Sequence, residues 1–189
     1  MKHEDSTRRT KELLAASLKR KMEKKKLSKI TISEIIEDCD LNRRTFYYHF
    51  EDIYALVEWM FEQEAIRLLR KSESCLTWEE GVLLFLRYIR DNEHICRCAL
   101  DGLGREQLQR FFYKDCVGIM GAIVNELNES IGAPKDYLEF ITRFYTSALA
   151  ETAIWWLSSG MEKSPEKLVH ELELTMQGNI EPALEKAAQ

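Results

Sequence analysis

LNRRTFYYHF, residues 41–50, is the stretch that decides how this chain is read. Between Leu41 and Phe50 it sets two arginines, a threonine, two tyrosines and a histidine among phenylalanines. A segment that only fills a core does not carry so many donors and cations, and one that only faces water does not need four aromatic rings. Asn42 is a good helix N-cap. With that cap, Leu41 and Phe46 occupy the two ends of a hydrophobic staple. Phe46 and Phe50, one turn apart, mark the buried side. Arg44, Tyr47 and Tyr48 then lie away from the core, Thr45 and His49 border the other flank, and Arg43 projects from the first turn. Two arginines at a helix N-terminus oppose the macrodipole, at a cost of some tenths of a kcal/mol. Their placement fits an external anion better than it fits stability.

The flanking sequence gives this short helix its frame. Upstream, Thr31 and Glu34 have capping-box spacing. Ile32, Ile35, Ile36 and Cys39 follow at i, i+3, i+4 and i+7, one inward face. Asp40 breaks the helix, as a residue that tolerates left-handed backbone angles. Downstream, Asp52 caps a helix with Ile53, Leu56, Val57 and Met60 inward. Before the pair, a helix starting after Asp5 or Ser6 carries Leu14, Leu18 and Met22. Residues 31–50 therefore read as a helix-turn-helix, whose second helix enters the DNA major groove. Arg reads guanine edges, Thr reaches base or phosphate, and Tyr and His bond phosphates. The candidate DNA-binding residues are Thr31, Ser33, Asn42, Arg43, Arg44, Thr45, Tyr47, Tyr48 and His49.

Charge is distributed to match. The net charge is −5. Residues 1–50 hold 13 Lys/Arg against 8 Asp/Glu, a balance of +5, which leaves 14 against 24, or −10, for the remainder. A basic front on an acidic body points to a polyanionic partner for the front, with solvated helix faces as the plain alternative. Seven of the cations fall between Lys19 and Lys29, more than a helix C-terminus needs.

The rest of the chain sets limits. With three prolines, eight glycines and apolar residues recurring at three and four, the expected fold is all-α. No apolar run reaches membrane-span length, and the N-terminus has no signal-peptide core, so the expected compartment is the cytoplasm, with no membrane contact. The five cysteines, Cys39, Cys75, Cys96, Cys98 and Cys116, read as free thiols in a reducing compartment. His94, Cys96 and Cys98 do not share one helix face and lack a second ligand pair, so no metal site and no cofactor is expected. Without a Gly-rich phosphate loop, a His-Glu-x-x-His or a nucleophile elbow, an enzyme is not expected either.

Beyond residue 69, Thr77 and Glu80 have capping-box spacing, followed by Val82, Phe85, Leu86 and Ile89. Further helices are expected from Glu93 to Gly102 or Gly104, from Glu106 to Ser130 and from Lys135 to Ser159. A last one opens at Ser164-Pro165 and is closed by Gly178.

The run ITISEIIEDCDLNRRTFYYHFEDIYAL is similar to the helix-turn-helix of the TetR family of bacterial regulators. Tyr47, His49, Phe50 and Leu56 match the family's Tyr-x-His-Phe ending and following leucine, over about residues 7–66. Two departures stand out. The family usually has glycine at Asp40, and commonly lysine where this chain has Ile53, a lost phosphate contact that Lys24–Lys29 could replace.

The resemblance implies a DNA-binding domain at 7–66, with its helix-turn-helix at about 31–50, and an effector-binding and dimerisation domain at 67–189. It also implies a homodimer on a near-palindromic double-stranded operator. Phe140, Phe144, Trp155 and Trp156 are the candidate dimer interface, although the same residues could fill a core. Adjacent tryptophans point about 100° apart, so both cannot face one core. The segment AETAIWWLSSGMEKSPEKLVHEL resembles a subgroup that includes the activator of dihydroxyacetone kinase operons, which answers to a protein. The controlling partner is thus a small-molecule effector or a protein, and the alternative function is that of a co-regulator acting mainly through a protein partner.

Overall fold

The structure, a computed structural model, describes residues 2–72, 77–176 and 178–189; Cys75 lies outside the described residues. Among these there are ten α-helices, one 3-10 turn and no strand. The helices are α1 (Lys2–Met22), α2 (Ile32–Asp38), α3 (Arg43–His49), α4 (Ile53–Ser72), α5 (Trp78–Asp91), α6 (Glu93–Leu103), α7 (Arg105–Asn128), α8 (Lys135–Ser158), α9 (Pro165–Met176) and α10 (Ile180–Ala187). The 3-10 turn covers Leu27–Lys29. The chain divides into two compact units, residues 1–64 with 92–108 and residues 65–91 with 109–189.

In the first unit, Leu14, Leu18 and Met22 of α1 are buried with Ile35 and Ile36 of α2, Phe46 and Phe50, and Leu56, Val57 and Met60 of α4. The seven-residue α2 is far below the length at which an isolated helix persists in water. Burying Ile35 and Ile36 contributes ~1.5–3 kcal/mol each, which supplies what local hydrogen bonds cannot. This unit also takes in α6, through Ile95, Cys96, Cys98 and Ala99 on its buried face. At Gly102, a Cβ would stand 2.8 Å from Leu27 side-chain carbons, so this position admits only glycine at the present approach. Helical periodicity placed α6 as an element but could not name its neighbour.

The second unit is built on α5. Val82, Phe85, Leu86 and Ile89 are buried along one face, and Phe85 meets Phe112 of α7 edge-on at 5.4 Å. From α8, Leu149, Ala150, Ala153, Ile154, Trp156 and Leu157 turn inward. The link from α8 to α9 runs through Gly160 and Met161, both at positive φ. It is tied to α5 by Arg90, which donates to the carbonyls of Met161 and Lys163 at 3.0 and 2.7 Å. Arg87 pairs with Glu166 of α9 at 2.9 Å.

Two expectations are corrected here. The helix opened by Ser164-Pro165 is not the last, because α10 follows Gly178 and buries Ile180 and Leu184. Its helical period, Ile180, Ala183, Leu184 and Ala187 at i, i+3, i+4 and i+7, spans only two turns. Trp156 does not belong to an interface, being 1% exposed. Its Nε1 donates to the Lys163 carbonyl at 3.0 Å, and the Arg90 guanidinium lies over its ring. The angle between neighbouring helical positions sends Trp156 into the core and leaves Trp155 half exposed.

Candidate nucleic-acid interface

The helix-turn-helix is held by three local devices. At the start of α2, the Glu34 amide donates to the Thr31 hydroxyl at 3.3 Å, while the Thr31 amide and hydroxyl both donate to the Glu34 carboxylate at 2.9 Å. In the turn, Asp40 adopts φ 52°, the left-handed conformation that its short polar side chain tolerates. At the start of α3, Asn42 Oδ1 accepts from the Thr45 amide at 2.9 Å and from the Thr45 hydroxyl at 3.2 Å. Asp52 caps α4 by accepting from the Ala55 amide at 2.8 Å.

These bonds sort the candidate residues by what each has left to offer. Thr31 has already given its hydroxyl hydrogen to Glu34, so its part is to hold the first turn of α2. Ser33 accepts from the Arg43 guanidinium at 2.8 Å, which joins the starts of α2 and α3 and leaves the serine hydrogen to donate. Asn42 and Thr45 cap the helix, and the Asn42 amide nitrogen remains to point outward. Arg44, Tyr47 and Tyr48 are exposed on α3, the two tyrosines at 54% and 72%, while Phe46 at 0% anchors the opposite side. The Tyr48 ring meets that of His49 edge-on at 4.9 Å.

His49 sits differently from its neighbours. Burial, and secondarily the nearby Lys11 ammonium, lower its pKa from the ordinary value. The imidazole is therefore neutral at neutral pH and offers a hydrogen bond rather than a charge. Lys11 itself lies 5.4 Å from the Phe50 ring centroid and 5.9 Å from that of Trp59, a cation–π contact that joins α1 to the end of α3 and to α4.

Basic residues around this surface divide in the same way. Lys19 pairs with Glu64 at 3.3 Å, Arg20 with Asp38, and Lys25 with Glu34. Lys25 is the largest influence holding the Glu34 carboxyl down at about 2, followed by the Thr31 amide and hydroxyl. Lys24, Lys26 and Lys29 are exposed, and among the described residues none of them meets a carboxylate. Tyr54, half exposed one residue after Ile53, offers a hydroxyl beside the position where lysine is absent. It was not among the sequence candidates, and its only signal was its place in the first turn of α4. The exposed aromatic residues of α8 belong to the second unit. Phe140 and Phe144 are exposed and stack at 6.3 Å between centroids, with Tyr137 stacked on Phe140 at 6.0 Å.

Residues 76–178, more than half of the chain, match the TetR-type family model described as "Transcriptional regulator C-terminal region". The chain belongs to the TetR family of transcriptional regulators. It is thus a transcriptional regulator and not an enzyme.

The regulator is similar to the HTH-type dhaKLM operon transcriptional activator DhaS of Lactococcus lactis, with 29% identity over 84 residues. That match takes in 44% of the regulator and 45% of the activator, so it spans less than half the length of the curated relative. Its fold is shared with the solved structure of a dihydroxyacetone kinase operon activator DhaS, at a TM-score of 0.72 and 20% identity over 92% of the regulator and 97% of that chain. A TetR-family regulator from Pectobacterium atrosepticum shares it at 0.67 and 18%, over 92% and 95%. One from Streptococcus agalactiae does so at 0.61 and 22%, over 93% and 97%. The similarity to the DhaS subgroup and the all-α TetR fold both agree with the sequence reading. Among the described residues, no helix is long and apolar enough to cross a membrane.

Proposed function

We propose that the regulator acts in the cytoplasm as a homodimer that binds a near-palindromic operator, with α3 of each copy in the major groove. One observation carries this reading: Arg44, Tyr47 and Tyr48 face outward from a helix whose other side is fixed by the fully buried Phe46. Arg44 can read a guanine edge, while the Tyr47 and Tyr48 hydroxyls, Ser33 and the Asn42 amide reach phosphates. Tyrosine suits this role because its ring packs on protein while its hydroxyl points away. The exposed side of α8 supports a second copy there: Phe140, Phe144 and Trp155 lie along it with the small residues Ser147 and Ala148 between them. Twofold symmetry then repeats the same half-site on the operator. An effector bound by the second unit favours one dimer geometry over another, and only one matches the half-site spacing.

The test is fluorescence anisotropy with DNA from upstream of the regulator's own gene, at two salt concentrations. Tight binding that competitor DNA does not displace and that weakens with salt is the expected result. Binding equal to that of random DNA overturns the reading. In that event Ile53, in place of a phosphate-gripping lysine, favours the second reading, a co-regulator that works through a protein partner as the DhaS-like activators of the resembled subgroup do. A stoichiometric partner that restores DNA binding is its signature.

A further inference from the structure

Between α1 and α2 the chain makes a closed and anchored turn. The amides of Lys24 and Lys25 donate to the Lys21 carbonyl at 3.0 Å, that of Lys29 to the Lys26 carbonyl at 2.9 Å, and that of Ile30 to the Leu27 carbonyl at 3.0 Å. Leu27 and Ile30 are buried, the Leu27 side chain against Gly102 of α6. The Cys98 thiol, also on α6, donates to the Lys25 carbonyl at 3.4 Å, and the Lys25 ammonium pairs with Glu34 of α2. Lys25, Leu27 and Ile30 are therefore tied to the rest of the unit, while Lys24, Lys26, Ser28 and Lys29 are exposed.

This arrangement points to a polyanion. Three ammonium groups on six consecutive residues repel one another, and the anchored backbone holds their stems together. Lys19, Arg20 and Lys25 each meet a carboxylate of their own chain; among the described residues, Lys24, Lys26 and Lys29 meet none. Lysines kept only for solubility would gain from the same pairing. The turn also leads into the helix-turn-helix at the end where α3 begins. Lys29 stands two positions before Thr31, the cap of α2, and Ser33 in the first turn of α2 accepts from Arg43 in the first turn of α3 at 2.8 Å. An ammonium is a point charge without the fixed fork of a guanidinium, so it holds phosphate without reading bases. Three of them spread along one turn suit a row of phosphates better than a single small anion.

We propose that Lys24, Lys26 and Lys29 form a second DNA-contact element, which grips the phosphate backbone independently of sequence and supplies the hold that the apolar Ile53 leaves out at the start of α4. The inference rests on the reading of α3 as the DNA-facing helix and names where the backbone beside it is held.

The experiment uses the full chain with two duplexes, the upstream DNA and a random sequence of the same length. Lysine acetylation by an N-hydroxysuccinimide ester, read by mass spectrometry, should fall several-fold at Lys24, Lys26 and Lys29 when either duplex is added. Lys135 and Lys167, exposed in the second unit, should stay as reactive as in the free chain. In anisotropy, the combined variant Lys24→Gln, Lys26→Gln and Lys29→Gln should bind both duplexes at least roughly tenfold more weakly, by a similar factor for each. The matching triple change to arginine should keep the native affinity, and an unchanged melting temperature shows that both variants fold. Affinity that survives the glutamine variant overturns the proposal and leaves the turn to an acidic protein or to solvent. A loss confined to the upstream duplex, or equal acetylation with and without DNA, overturns it too. A chain that binds the two duplexes alike fails the operator reading while this test still runs on both, so the two failures are distinct; a chain that binds neither overturns both readings.

Discussion

Helices α3 and α8 of this regulator both expose aromatic rings, and they do so with different chemistry. On α3 the exposed rings are Tyr47 and Tyr48, each with a hydroxyl, in the company of Arg43 and Arg44. On α8 they are Phe140, Phe144 and Trp155, with the small residues Ser147 and Ala148 between them. Exposure alone would rank the two faces alike. The difference lies in what each ring carries at its rim and what stands beside it. Hydroxyls and guanidinium groups keep their value against a hydrated polyanion, whereas bare rings and small neighbours gain only when water is excluded by another close-packed surface. That chemistry is why DNA is proposed for the first face and a second copy of the chain for the second.

The largest expected effect compares two phenylalanines. Phe46→Ala, at 0% exposure, should lower stability by ~3–5 kcal/mol and take operator binding with it. Phe144→Ala, on the open face, should leave the stability of an isolated chain nearly unchanged. Chemical denaturation at a concentration where the chain is monomeric reads both, and a large loss from Phe144 would mean that its face is already covered within the chain.

Next in size, Phe140→Glu combined with Phe144→Glu should raise the dimer dissociation constant at least roughly a hundredfold, or ~2.7 kcal/mol, by placing like charges across the twofold axis. Sedimentation velocity measures this directly. A dimer that persists would move the interface away from α8.

Smaller still are changes at the rim of α3. Arg44→Ala should weaken operator binding by ~1–3 kcal/mol with relaxed base preference, and Tyr47→Phe by ~1 kcal/mol through its single hydroxyl. Neither should shift the melting temperature. Phe144→Tyr, which adds on α8 what Tyr47→Phe removes on α3, should leave operator affinity unchanged in the same anisotropy assay.

The smallest effect is confined to acid. Glu34 falls from the ordinary 4.5 to about 2 in the folded chain. A depressed carboxyl contributes stability that is complete above about 4.5 and is lost as pH falls from 4.5 toward 2. Thermal melts across that window should decline more steeply for the native chain than for Glu34→Gln, and parallel curves would show that the Lys25–Glu34 contact does not bind in solution.

The helix-turn-helix was legible because its determinants are local. A capping box, an N-cap and a staple each join residues within four or five positions of one another, and Thr31, Glu34, Asn42 and Phe46 could be assigned from spacing alone. The same logic found the glycine-marked ends of the long helices. It could not find partners that are distant in sequence. Leu27 against Gly102, Arg90 over Trp156 and Lys25 on Glu34 arise from packing, and only packing shows that Trp156 is core while Trp155 is open.

The ion pairs Lys19–Glu64, Arg20–Asp38 and Lys25–Glu34 have a consequence for how this regulator responds to its ionic surroundings. DNA affinity falls with salt because each phosphate that a protein cation neutralises releases condensed counterions. A cation already matched by a carboxylate of its own chain has nothing to release. Charge counted along residues 1–50 therefore overstates the grip, and the logarithm of affinity should fall with the logarithm of salt along a slope set by Arg43, Arg44, Lys24, Lys26 and Lys29. In the proposed homodimer each of these cations counts twice, so operator affinity should still fall steeply as salt rises, though less steeply than the 13 cations of residues 1–50 would suggest.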